Sequence, residues 1–123
     1  MAIEDKFADE MLTDEQLDNV VGGGTAQTMG DFKFLRAMKY IHRVTETPFG
    51  FILGWKLNSP KVDEGWSKAG VTCCTVFGSG DNKYWIGGKE VSRKEAFAHV
   101  LRQKGYSEDA IVNYNYNQWP GAF

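Results

Sequence analysis

The chain has 123 residues, with 14 Lys+Arg against 16 Asp+Glu for a formal net charge of −2, and 42% of it is hydrophobic. That length holds one domain with a workable core and hardly two. The longest mainly apolar stretch, residues 48–55, falls far short of the roughly 18 residues a membrane-spanning helix needs. No basic start followed by an apolar run marks an ordinary secretory signal, and two cysteines cannot staple a disulfide-rich scaffold.

The charge is split along the chain. Residues 1–23 carry Glu4, Asp5, Asp9, Glu10, Asp14, Glu15 and Asp18 against Lys6 alone, a net −6, while residues 24–123 carry a net +4. Aromatics divide the same way, with Phe7 the only one before Gly23. The break falls at Gly22-Gly23-Gly24, so the sequence reads as an acidic leader, 1–23, followed by an aromatic-rich body, 24–123.

In the leader, Thr13 and Gln16 have the spacing of a capping box, which predicts a helix starting near Thr13. On a helical wheel Leu12, Val20 and Leu17 fall at about 0°, 80° and 140°, with Asp14 and Asp18 at about 200° and 240°. A helix this short is marginal alone, so its apolar strip is expected to dock on something else. These residues resemble the double-glycine leader of bacteriocin-type precursors, in which apolar residues stand at set distances before a Gly-Gly pair. Here Val20, Leu17 and Leu12 lie three, six and eleven residues before Gly23. Taking Gly23-Gly24 as the pair would put Asp18 and Thr13 where Leu17 and Leu12 belong, so the expected cut follows Gly23. Gln16 departs from the Glu common in the family. The resemblance implies a peptidase-containing ABC transporter as partner: a groove reads Leu12, Leu17 and Val20, a narrow tunnel admits only residues without Cβ, and the remainder is secreted. On that reading Gly24, beyond the bond, tolerates Ala.

The body is expected to be α+β: one helix, a small antiparallel sheet of three to four strands, and a C-terminal helical hairpin. Residues 24–30 read as a linker. A helix is expected over residues 31–45, with Phe34, Leu35, Met38, Ile41 and His42 on its apolar face. Alternation through Phe49, Phe51, Leu53, Trp55 and Leu57 predicts a strand, and Pro60 and Gly65 predict a polar loop. A second strand is expected over residues 71–77. Residues 83–86 and 89–91 should pair across a two-residue Gly87-Gly88 turn. Ser92 and Glu95 form a capping box for a helix to about Lys104, ended by Gly105, and Ser107 caps another over residues 108–116.

Possible thiol chemistry rests on Cys73 and Cys74, which adjacent strand positions turn to opposite faces; one core cysteine with an incidental neighbour is the simpler expectation. A secreted small enzyme using Cys73 or Cys74 with a histidine is the alternative to a binding protein, although no local signature of a catalytic cysteine is present. His42 is expected in the core and His99 toward solvent. The histidines and cysteines lack metal-ligand spacing, so neither metal nor cofactor is expected. Gly50 and Gly54 form one G-x-x-x-G, better suited to a packed strand than to a membrane helix. Residues 92–116 could pass for a helix-turn-helix, but Glu108 and Asp109 at the second helix would repel phosphates, so nucleic acid is not an expected partner. The expectation for the body is a bacteriocin-like, antimicrobial or effector protein that binds a target-cell envelope component or a partner protein; its positive charge favours anionic envelopes over short range.

Overall fold

The structure, a computed structural model, describes residues 23–42, 55–78 and 80–123. Its elements in chain order are helix α1 (Gly23–Ala37), helix α2 (Trp55–Lys68), strands β1 (Thr72–Cys74), β2 (Lys83–Ile86) and β3 (Lys89–Val91), and helices α3 (Arg93–Gln103) and α4 (Glu108–Val112). A 3-10 turn, Tyr116–Gln118, follows. The architecture is α+β, with helices packed on a three-stranded antiparallel sheet of order β1-β2-β3.

The linker expected over residues 24–30 is helix instead. These residues form the first two turns of α1, and Gly24 through Gly30 are all buried. Gly and Thr are poor helix formers, so tertiary contacts decide here: small residues let the helix slide close beneath the rest of the chain. A Cβ at Gly30 would collide with the Pro120 carbonyl oxygen. The helix also stops early, at Ala37 rather than at residue 45. The Tyr40 amide donates to the Leu35 carbonyl (2.8 Å) and the Lys39 amide to that of Arg36 (3.0 Å), a Schellman closure with Lys39 in the left-handed region (φ 71°). His42 therefore leaves the apolar face and is exposed, while Ile41 turns inward to pack against Gly65.

Helix α2 replaces two expected features. Of the predicted strand over residues 49–57, positions 49–54, including the Gly50/Gly54 pair, lie outside the described residues, and 55–57 are helical. The expected loop at Pro60 and Gly65 is helix as well. Asn58, Val62, Trp66 and Ala69 are buried with Gly65 between them, a helical stripe that fastens α2 to α1. Gly65 is small because Ile41 Cγ1 would lie 2.8 Å from any Cβ there.

In the sheet, Cys73 pairs with Tyr84 and Tyr84 with Val91, one row facing the core. The strand expected over residues 71–77 is confined to Thr72–Cys74. The β2–β3 turn is as expected, Gly87 and Gly88 both having positive φ (60° and 81°) as a two-residue hairpin requires. Ser92 and Glu95 form the capping box of α3, which ends before Gly105 (φ 90°). Ser107 caps α4 through the Ala110 amide, but α4 ends at Val112 and Tyr116 sits in the separate 3-10 turn. The core centres on Phe34 and Phe97, stacked at 3.9 Å between ring centroids, with Trp66 and the edge of Trp119 alongside.

Candidate functional site

Of the residues singled out for leader recognition and cleavage, Leu12, Leu17, Val20 and Gly22 lie outside the described residues. Gly23 and Gly24 open α1. Gly23 has φ 46°, a conformation natural to glycine, and Gly24 is buried. The Gly24 amide, which belongs to the Gly23–Gly24 bond itself, donates to the Gly80 carbonyl at 2.6 Å. A Cβ at Gly24 would collide with the Val76 carbonyl oxygen and lie 2.5 Å from that of Gly80 and 2.8 Å from Asn82 Oδ1. Gly24 is therefore buried, hydrogen-bonded and closely packed.

The next residues tie three segments together. The Gly78 amide donates to Thr25 Oγ1 (2.6 Å). Thr28 Oγ1 donates to the Gly24 carbonyl (2.7 Å) and accepts from Asn82 Nδ2 (2.8 Å). Gln27 Oε1 accepts from the Asn82 amide (2.8 Å), and its Nε2 donates to the Ala122 carbonyl (2.9 Å). Gly121 passes so close that a Cβ there would lie 2.5 Å from Gln27 Cα. The first turns of α1 thus lie between the loop at 76–82 and the C-terminal residues 120–122.

Beneath this seam sits a buried ion pair. Arg93 Nε donates to Asp31 Oδ1 at 2.9 Å, with side-chain exposures of 3% and 0%. Asp31 Oδ2 accepts from Tyr84 Oη (2.6 Å) and Trp66 Nε1 (3.2 Å). The guanidinium also reaches the carbonyls of Pro120 (2.7 Å), Gln27 (3.2 Å) and Ala122 (3.1 Å). The Phe123 ring lies over it at 4.1 Å. Burial, and next the Asp31 charge, push the Tyr84 phenol well above its ordinary value, so it stays a neutral donor. Sequence reasoning missed this network because its members act across the whole chain.

The candidate thiols are placed differently. Cys73 is half-buried and Cys74 exposed, both free. Burial pushes the Cys73 thiol far up, and the nearby charges of Asp31 and Asp63 push it further, the reverse of what a thiolate nucleophile needs. Burial also raises Asp63, opposed by hydrogen bonds from Thr75 and Cys73. The histidines have other company: His99 Nε2 lies 3.1 Å from Gln103 Nε2, and His42 lines a small cavity with Tyr40, Lys61 and Glu64. Among the described residues, no group of three His, Cys, Asp or Glu is arranged to hold a metal ion, and no helix is long and apolar enough to cross a membrane.

The chain matches no family model, no curated protein and no solved structure.

Proposed function

We propose that this chain is the precursor of a secreted bacteriocin-like protein or effector. Residues 1–23 are a double-glycine leader read through Leu12, Leu17 and Val20 by a peptidase-containing ABC transporter, which cuts after Gly23 and exports residues 24–123. The observation that carries the reading is the register of Leu12, Leu17 and Val20 before Gly22-Gly23, falling on the same boundary as the change in charge and aromatic content. Gly24, the residue that would start the mature body, is buried and opens its first helix.

The mature body acts by binding. The high-lying Cys73 thiol and a His99 ring set against Gln103 favour this over a hydrolase using Cys73 or Cys74. Mass spectrometry of the medium of a strain expressing the chain with its transporter tests the route. A product starting at Gly24 is expected. Gly23→Val is expected to block cutting outright, because the tunnel admits no Cβ. Leu17→Asp is expected to weaken docking by burying a charge, a defect that extra transporter offsets. A product that keeps Met1 would refute the leader. Growth inhibition of related bacteria by the body, unchanged when both cysteines become Ser, is the expected sign of a binding effector; a hydrolytic activity lost in that variant would refute it.

A further inference from the structure

We propose that folding of the body hides its own processing site, so that the Gly23–Gly24 bond is cut only in chains whose first helix is open. The inference rests on the leader reading above and adds an order of events to it: leader removal comes before folding.

A cysteine peptidase takes its substrate as extended backbone running through a narrow cleft, with residues on both sides of the bond accessible. The folded chain offers the opposite. The amide of the bond to be cut is hydrogen-bonded to the Gly80 carbonyl (2.6 Å). Gly24 and the six residues after it are buried in helical conformation. Even a methyl group at Gly24 would lie 2.5 Å from one carbonyl oxygen and 2.8 Å from Asn82 Oδ1, so the walls of a protease cleft have no room there.

Local fraying does not expose this bond. Straightening residues 24–28 releases Gly24 from Gly80 and Thr25 from Gly78. It also frees Gln27 and Thr28 from Asn82, and Gln27 from Ala122. Those bonds anchor the 76–82 loop and the C-terminal residues, and Arg93 is fastened to the same strip through the Gln27 carbonyl. Opening the site therefore unlocks three segments together, and cutting follows the population of that opened state rather than a loose terminus.

The test uses the full chain and the purified peptidase domain of a transporter that cuts double-glycine leaders. The native chain is compared with a Trp66→Ala/Phe97→Ala chain, unfolded because both residues are fully buried; circular dichroism verifies its state. The unfolded chain is expected to be cut after Gly23, and the native chain at least ~100-fold more slowly. Asn82→Ala, remote in sequence from the cut but holding Thr28 and Val76, should fall between them. Comparable rates for native and unfolded chains would overturn the proposal while leaving the leader reading intact. So would amide exchange at Gly24 in the native chain at the rate of a free peptide. Failure to cut the unfolded chain after Gly23 would overturn the leader reading and this inference with it.

Discussion

Arg93→Met tests the centre of the fold. The substitution keeps an unbranched apolar side chain but removes the guanidinium that lies over Phe97 and faces Asp31, whose side chain is fully buried. Tyr84 and Trp66 still donate to the carboxylate, yet neither carries charge. Three backbone carbonyls, of Gln27, Pro120 and Ala122, lose their donor as well. Breaking a buried ion pair from one side costs about 3–5 kcal/mol. A chain of 123 residues has a total stability of roughly 6–18 kcal/mol at typical values per residue, so a large part of the margin disappears. Urea unfolding followed by tryptophan fluorescence measures the loss as a shift in midpoint. Arg93→Lys is expected to recover little of it, because a point charge cannot span Asp31 and three carbonyls as the planar fork does. Adding Asp31→Leu to Arg93→Met removes the orphaned carboxylate and is expected to restore part of the stability. A loss under about 1 kcal/mol for Arg93→Met, the range of an exposed pair, would refute the central role given to this contact.

Asp63→Asn is expected to stabilise the protein at pH 7 and to make no difference below about pH 3.8. Burial raises the Asp63 carboxyl above its ordinary value of 3.8, so the folded state favours the protonated form and wild-type stability falls as pH rises through the folded pKa; urea midpoints of both proteins across pH 3–7 check the sign. Lys39→Gly is expected to raise stability by ~0.5–1 kcal/mol, since a side chain in the left-handed position that closes α1 is strained; Lys39→Ala, measured by thermal melting, should give no such gain. Gly24→Ala is expected to destabilise the folded body by about 1–3 kcal/mol through overpacking, while leaving cleavage of an unfolded chain unchanged; melting and peptidase assays on one preparation separate the two effects.

What was legible in the sequence was local. The Gly87-Gly88 hairpin and the Ser92/Glu95 capping box each involve residues within a few positions of one another, and both stand in the fold. Helix α2 was hidden by Pro60 and Gly65, which ordinarily punctuate chains. The signal that could have revealed it was Asn58, Val62, Trp66 and Ala69 at spacings of four, four and three. The start of α1 was hidden for a deeper reason. Its Gly and Thr residues are chosen by the loop at 76–82 and by the C-terminal residues, more than 50 positions away, and local propensity carries no trace of those partners. Asp31 and Arg93 stand 62 residues apart, with nothing in either neighbourhood to announce the other. For the candidate site, the proposed leader rests on a local spacing pattern, whereas the close packing of Gly24 against Val76, Gly80 and Asn82 leaves no local trace.

The run of three glycines shows how the two kinds of demand meet. On the proposed leader reading, a tunnel that excludes Cβ atoms asks for glycine on the side of the bond that enters it, which accounts for two of the three. Taken alone, the run leaves the register open, since Gly22-Gly23 and Gly23-Gly24 are both pairs. Gly24, however, has a reason of its own to lack a side chain: the Val76 and Gly80 carbonyls and the Asn82 amide oxygen occupy the space a Cβ would need. Once folding accounts for Gly24, it need not be counted toward the recognition pair. On the proposed reading, Gly22-Gly23 then remains as the recognition pair, in the register counted from Leu12, Leu17 and Val20. The proposed cut and buried Gly24 then share one peptide bond, whose two ends answer to different constraints.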